Sequence, residues 1–124
     1  MKRLTLVLLA VATLGGAACS HDNFRPTRIV TNGSADTGSK LITRYGCGSC
    51  HEIPGVKGAN GLVGPPLIKF GRRQFIAGEL ANTPDNLIRW ISDPKGVEPG
   101  TDMPNLGVTQ EEARNIAAYL ESLR

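Results

Sequence analysis

The stretch that decides the fold is Cys47-Gly48-Ser49-Cys50-His51. Two cysteines three residues apart lie on one side of a helical turn, so their sulfurs can reach both vinyl groups of one haem. The histidine that follows can place a ring nitrogen on the iron. The pattern C-x-x-C-H therefore predicts one covalent haem c on Cys47 and Cys50, with His51 as an axial metal ligand.

Two other uses of paired cysteines fit the surrounding sequence less well. A thioredoxin-like redox pair would follow a buried hydrophobic strand, whereas Ser39-Lys40-Leu41-Ile42-Thr43-Arg44-Tyr45-Gly46 precedes this motif. A structural zinc site requires four ligands, and the sequence has no second closely spaced pair of cysteines or histidines. The haem interpretation is therefore preferred.

Composition and charge agree with a core built around a cofactor. The chain has 124 residues but only three Phe, two Tyr and one Trp, and a bound haem would supply the missing flat apolar mass.

Of the 14 Lys and Arg residues, Lys2 and Arg3 lie in the expected leader, and the remaining 12 are balanced by 11 Asp and Glu residues. This near-neutral charge gives no indication of a nucleic-acid partner.

The start of the chain predicts export and attachment to a membrane. Residues 1–18 combine basic residues, an apolar run too short to span a bilayer permanently and small residues, which is typical of a secretory signal peptide. Cys19 follows two alanines and resembles the lipidated cysteine of bacterial lipoproteins, although Gly16 stands where an aliphatic residue is usual. Cleavage after Ala18 without lipidation, leaving a free thiol, is the alternative.

Residues 19–35 show neither helical nor strand periodicity, and we expect them to form a flexible tether in which His21 is solvated. Lipidation of Cys19 would place the protein on the periplasmic side of a bacterial membrane.

Residues 36–124 form the predicted domain, which is mostly helical. Asp36-Thr37 is expected to cap a helix that runs into the cysteine motif. Thr83-Pro84 should begin a second helix that ends at Asp93-Pro94, and Thr109 with Glu112 predicts a capping box for the last helix. No strand and no internal repeat are expected.

The second axial ligand is predicted to be Met103. It is the only methionine other than Met1, and it lies in the loop Pro99-Gly100-Thr101-Asp102-Met103-Pro104, which prolines frame at both ends. A core methionine is the alternative, but no helical apolar stripe includes Met103. Methionine opposite histidine raises the reduction potential and closes the iron to small ligands.

These motifs occur in an order similar to that of class I c-type cytochromes, which the chain resembles from Asp36 to Arg124. The spacing of the Trp90 helix and Met103 is especially similar to that of the cytochrome c domain fused to subunit II of caa-type haem-copper oxidases. The residues that carry the resemblance are Cys47 to His51, Gly64-Pro65-Pro66-Leu67, Gly71-Arg72, Trp90, Asp93-Pro94 and Pro99 to Pro104. The resemblance implies an all-α, small class I cytochrome c fold of three to five helices around one covalent haem.

The resemblance also implies roles for individual residues. The Pro65 carbonyl would accept the second imidazole N–H of His51. Arg72 would lie near a haem propionate, or would be an ordinary surface charge, and Thr101 would lie near the inner propionate. Trp90 would line the methionine side of the haem, or belong simply to the core. Outside the site, Gly38 and Tyr119 would lie where the first and last helices cross.

The function that the resemblance implies is one-electron transfer in a respiratory chain, not enzyme catalysis. The expected redox partners are a membrane terminal oxidase or an upstream cytochrome complex. Basic residues could steer an acidic partner, or could serve only solubility. A haem subunit of a larger membrane oxidoreductase is the alternative. A small peroxidase or gas sensor is less well supported, because the domain has no second histidine to act as a distal group. The basic residues considered are Lys57, Lys69, Arg72, Arg73 and Lys95.

Overall fold

The structure, a computed structural model, describes residues 28–124. Within this range the chain forms four α-helices, two 3-10 helices and one two-stranded hairpin, so the expectation of a mostly helical domain with three to five helices is confirmed. The elements are α1 (Ala35–Arg44), a first 3-10 helix (Cys47–Ser49), a second 3-10 helix (Phe70–Arg72), β1 (Phe75–Ile76), β2 (Leu80–Ala81), α2 (Pro84–Ser92), α3 (Pro94–Val97) and α4 (Gln110–Ser122).

The first helix begins earlier than predicted and stops before the cysteine motif. The Ser34 hydroxyl oxygen accepts a hydrogen bond from the backbone N–H of Thr37 at 3.2 Å, so Ser34 caps the helix and Asp36 lies in its first turn. The helix ends at Arg44, and Gly46 takes a positive φ of 69° that glycine adopts at little cost. This reversal places the cysteines on a 3-10 turn of their own.

The predicted boundaries of the other two long helices are confirmed. The Thr83 side chain accepts a hydrogen bond from the backbone N–H of Asn86, and Asp93 caps the end of α2. At the start of α4, Thr109 and Glu112 form the reciprocal capping box. These signals involve residues adjacent in sequence, which explains why the sequence alone identified them. The short helix α3 was not predicted.

The helices α1 and α4 cross in close contact. A Cβ atom added to Gly38 would lie 2.1 Å from the carbonyl oxygen of Asn115 and 3.0 Å from Cβ of Tyr119, so only glycine fits here. Gly38 and Tyr119 thus lie at the crossing that the resemblance implies. Near the other end of α1, the hydroxyl of Tyr45 donates a hydrogen bond of 2.7 Å to the Glu112 carboxylate.

The expectation that the domain has no strand was wrong. Phe75 pairs with Ala81 and Ile76 with Leu80 in an antiparallel hairpin. The turn needs positive φ at two successive residues, Ala77 (50°) and Gly78 (86°), which matches the twist of paired strands. Because alanine replaces the usual Asn or Asp of such turns, the sequence carried a weak hairpin signal.

Part of the predicted tether is packed on the domain. The residues 28–34, called here the N-terminal strap, place the side chain of Val30 in the core with 7% exposure. The backbone N–H of Ser34 donates a 2.8 Å hydrogen bond to the side-chain oxygen of Asn115 on α4. The flexible tether is therefore corrected for these residues, because a buried valine and a hydrogen bond to α4 hold them.

The remaining predictions for the start of the chain concern residues outside the described range. The signal peptide (residues 1–18), the lipidated Cys19 and the solvated His21 all lie there. Between residues 28 and 124, no helix combines the length and the apolar character needed to cross a bilayer.

Candidate functional site

An apolar cavity of about 360 Å³ lies between the long helices and the hairpin. Its walls come from α1 (Ile42), α2 (Leu87, Trp90 and Ile91) and α4 (Ile116 and Leu120), because each helix turns its apolar stripe inward. The remaining wall residues come from the loops, the two 3-10 helices and β1. The cavity also brings together Cys47, Cys50, His51, Pro65, Thr101 and Met103.

Both cysteines of the motif lie on the cavity wall on one tight turn. The backbone N–H groups of Cys50 and His51 donate to the carbonyl oxygen of Cys47 at 3.2 and 3.0 Å, which directs successive side chains of the turn toward the same space. The two thiols are half-buried and not joined in a disulfide. Burial raises the pKa of the Cys47 thiol above its usual value.

A carbonyl oxygen and a glycine fix the ring of His51. Its Nδ1 atom lies 2.7 Å from the carbonyl oxygen of Pro65. Because a carbonyl oxygen only accepts, this bond requires the proton on Nδ1 and leaves the lone pair of Nε2 for a metal. A Cβ atom at Gly64 would lie 2.4 Å from Cε1 of His51. Gly64 is thus a site residue that its place before two prolines could have indicated.

The glycine-rich loop of residues 55–64 packs directly on the turn that carries the two cysteines. A Cβ atom at Gly48 would lie 2.6 Å from Cα of Ala59, and one at Gly61 would lie 2.4 Å from the carbonyl oxygen of Ser49. The backbone N–H of Gly61 also donates to the carbonyl oxygen of Gly48 at 3.0 Å. The absence of side chains at Gly48 and Gly61 therefore allows the loop backbone to pack against the motif.

Met103 is half-buried and is held by hydrogen bonds on both sides of it. Its backbone N–H donates to the Thr101 hydroxyl oxygen at 3.2 Å, and the ammonium group of Lys95 donates to the Thr101 carbonyl oxygen. On the other side, the amide of Asn105 donates to the Asp93 carboxylate at 3.3 Å. The methionine loop is thereby connected to the corner between α2 and α3, a role of Lys95 and Asp93 that sequence reasoning missed.

Of the two neighbouring arginines, Arg73 lines the cavity, whereas Arg72 is exposed and does not belong to its wall. The guanidinium of Arg73 donates to the carbonyl oxygens of Pro66 and Ile68 and lies 5.4 Å from the centroid of the Phe70 ring. Among residues 28–124, Arg73 is thus the arginine on the cavity wall, and the place of Arg72 near a haem propionate or as a surface charge stays a prediction. Trp90 is buried in the wall and Thr101 is half-buried there.

The residues on this wall fit a haem. Two thiols can form thioether bonds, Nε2 of His51 and the sulfur of Met103 can bind iron, and the apolar walls suit the flat face of a porphyrin. The absence of a side chain at Gly64 leaves room for the His51 ring. When bound, the haem supplies an iron that alternates between the ferric and ferrous states.

Comparisons with known proteins agree with this site. A family model described as cytochrome c matches residues 35–124. Cytochrome c oxidase subunit 2 of Alkalihalophilus pseudofirmus is 35% identical over 91 residues, which make up 73% of this chain and 26% of that protein. A cytochrome c homolog of Bradyrhizobium diazoefficiens is 30% identical over 125 residues, covering 88% of this chain and 64% of that protein. The chain thus matches only part of each of these relatives.

Among solved structures, cytochrome c2 from Rhodobacter sphaeroides superposes with a TM-score of 0.50 at 21% identity, covering 73% of this chain and 96% of that one. This likeness concerns the fold. With the family model spanning residues 35–124 and the haem-binding side chains on one cavity wall, the chain belongs to the cytochrome c family, whose members carry one covalent haem c and transfer electrons without being enzymes.

Proposed function

We propose that this protein is a one-electron carrier of a respiratory chain that donates electrons to a membrane terminal oxidase. The observation that carries the proposal is that Cys47, Cys50, His51 and Met103 lie on the wall of one apolar cavity. Ligands on both sides of an iron leave no coordination position for a substrate, which suits electron transfer. The relatives named cytochrome c oxidase subunit 2 support an oxidase as the partner.

Different residues attach the haem and position its two iron ligands. Cys47 and Cys50 retain the haem, the Pro65 carbonyl orients His51 and increases its basicity, and the Thr101 hydroxyl positions Met103. The apolar walls exclude water and thereby reduce the reorganisation that accompanies a change of charge on the iron.

Attachment to the periplasmic side of a bacterial membrane is part of the proposal. The support is the sequence pattern before Cys19, in which a short apolar run and two alanines precede the cysteine. Two acyl chains on Cys19 would anchor the protein stably, whereas a single chain would hold it only reversibly. Confinement near the membrane raises the effective concentration of a membrane-bound acceptor.

The electron acceptor can be tested with membranes from the native host. Pre-reduced protein is mixed with membranes that lack it, and its oxidation is followed by the change in haem absorbance. We expect rapid oxidation that an inhibitor of the terminal oxidase abolishes and that slows at high ionic strength if charges steer the encounter. An oxidation rate that the inhibitor does not change would contradict the assignment of the oxidase as acceptor.

A second candidate function is that of a haem subunit within a larger membrane oxidoreductase. The observation that favours it is the oxidase relative in which the matching region is only 26% of a longer protein. Cross-linking in intact membranes followed by purification in mild detergent separates the two possibilities. A subunit remains with its partners in fixed stoichiometry after a salt wash, whereas a carrier is recovered alone.

The membrane anchor has its own test, independent of the acceptor. Wild type should fractionate with membranes and require detergent, while Cys19→Ala should have the same haem spectrum and appear in the soluble fraction. Mass spectrometry of the mature N-terminus in the native host provides the direct measurement. An unmodified Cys19 would refute the anchor and leave the haem site unaffected.

A further inference from the structure

The last turn of α4 contains a carboxylate that the electron-transfer site does not explain. The side chain of Glu121 is 1% exposed, and neither of its oxygens has a hydrogen-bond partner in the part of the chain that the structure describes. Within residues 28–124 the nearest cation is Arg28, whose Nη1 atom lies 3.5 Å from Oε2. Burial of a carboxylate without well-formed hydrogen bonds disfavours its anion, and the ion pair with Arg28 opposes this effect.

A second acceptor without a donor lies beside this carboxylate. Asn82 is 2% exposed, and its amide nitrogen donates to the carbonyl oxygens of Phe70 at 3.4 Å and Arg73 at 3.2 Å. The side-chain oxygen of Asn82 remains buried without a hydrogen-bond partner among residues 28–124. Asn82 is near enough to influence the pKa of Glu121. One proton in this cluster would supply the missing donor.

The charges around Glu121 only partly offset its burial. Burial raises the pKa of Glu121, while Arg28 and, less strongly, Arg124 and Asn82 lower it, and the net direction is upward. The backbone of the second 3-10 helix packs closely against α4 at Glu121, because a Cβ atom at Gly71 would lie 2.2 Å from the Glu121 carbonyl oxygen. Arg28 is itself shared, because its Nη1 also donates to the carbonyl oxygen of Gly71 at 3.1 Å.

The same cluster is in contact with the wall of the haem cavity. Leu120, the residue before Glu121, lines the cavity, as do Phe70 and Arg73, whose carbonyl oxygens bind Asn82. The cluster and the cavity therefore share the residues Phe70 and Arg73, and Glu121 follows a cavity residue in the chain. An electron added to the iron therefore acts on a carboxylate that no bulk water screens.

We propose that Glu121 is a proton-binding site linked to the redox state of the haem. When the iron accepts one electron from the redox partner, the Glu121 carboxylate takes one proton from solvent, and on oxidation it releases that proton. The added electron raises the pKa of Glu121 in the reduced protein, so proton uptake occurs between the oxidised-state and reduced-state pKa values. The proposal rests on electron transfer through the haem and not on the identity of the acceptor.

The reduction potential of the purified holoprotein, measured as a function of pH, tests the linkage. Between the two pKa values the wild-type potential should fall as pH rises, with a limiting slope of about 59 mV for each tenfold change in proton activity in a one-electron couple. Glu121→Gln, which mimics the neutral acid, should lose this slope and keep the higher potential. The matched control is Glu111→Gln, an exposed glutamate on the same helix, which should retain the wild-type slope. Equal slopes in wild type and Glu121→Gln would refute the proposal.

A measurement on wild type covers the case in which Glu121→Gln does not fold. The infrared difference spectrum between reduced and oxidised protein should show a protonated-carboxyl band that appears on reduction. A heavy-isotope label in the side-chain carboxyl of glutamate should shift this band, which distinguishes it from the haem propionates. Absence of a labelled band means that Glu121 keeps one protonation state, and the proposal is then wrong. Both measurements are independent of any oxidase, so failure of the proposed acceptor leaves them interpretable.

Discussion

At the scale of single residues, the two iron-binding side chains are positioned in different ways. His51 is fixed by a hydrogen bond to Pro65 and by close packing of Gly64 against its ring. Met103 depends on a loop that hydrogen bonds hold at Thr101 and Asn105. Loops exchange conformations more easily than packed turns. We therefore expect Met103 to dissociate from the iron more readily than His51.

Removal of the thioether should expose this difference. We expect Met103→Ala to lose the weak sulfur-to-iron absorption band of the oxidised protein, to bind carbon monoxide rapidly when reduced and to have a lower reduction potential. Absorption spectroscopy and potentiometry measure these changes. Leu106→Ala, at an exposed position in the same loop, is the control that should behave as wild type. Rapid carbon monoxide binding by reduced wild type would contradict Met103 as the ligand.

Glu112 should make the stability of the protein depend on pH in acid. Hydrogen bonds from Tyr45 and then Thr109 lower the pKa of Glu112 in the folded state. Its contribution is therefore complete above the unfolded-state pKa of about 4.3 and is lost as pH falls through the lower folded-state value. We expect Glu112→Gln to be less stable than wild type at neutral pH, with the difference shrinking in acid.

Urea denaturation of the holoprotein at neutral pH and below about pH 4 measures this convergence. Tyr45→Phe should reproduce part of the loss, because it removes the hydroxyl that contributes most to the shift. A stability difference that persists unchanged in acid would mean that Glu112 acts through packing and not through its charge.

At the scale of elements, sequence analysis succeeded where the signal was local. The caps at Thr83 and Thr109 and the C-x-x-C-H turn each depend on residues within a few positions of one another. It failed for the hairpin, since the buried side chain of Ile76 joins the core while the turn sequence itself is weak. Similarly, nothing near Arg73 in the sequence distinguishes it from Arg72, because only the fold decides which one meets the cavity.

The crossing of α1 and α4 gives a prediction for an element contact. Gly38→Ala would gain helix propensity, but its Cβ atom would lie 2.1 Å from a backbone carbonyl oxygen of α4, and backbone cannot move aside cheaply. We expect a net loss of about 1–3 kcal/mol in the free energy of unfolding, the usual range for overpacking. Denaturant unfolding of the holoprotein gives the value. Lys40→Ala, exposed on the same helix, should change little, and a stabilised Gly38→Ala would contradict the close crossing.

At the scale of the whole molecule, the N-terminal strap belongs to the folded domain. Val30→Ala removes buried apolar volume and should lower the free energy of unfolding by about 1.6 kcal/mol, at about 0.8 kcal/mol for each methylene equivalent. The neighbouring Ile29 is 78% exposed, so Ile29→Ala is a matched control with little expected effect. Equal effects of the two substitutions on thermal unfolding would show that the strap does not dock in solution.

The docked strap also limits how far from the bilayer surface the haem domain can lie when it transfers an electron. If Cys19 carries lipid as proposed, only the eight residues 20–27 separate the anchor from Arg28, and a fully extended chain covers at most about 32 Å over that interval. If the free segment extended to residue 35, the domain could move much farther from the bilayer surface. With that anchor, the docked strap would keep Arg28 within this distance of the lipid, which favours acceptors whose entry point for electrons lies near the lipid headgroups.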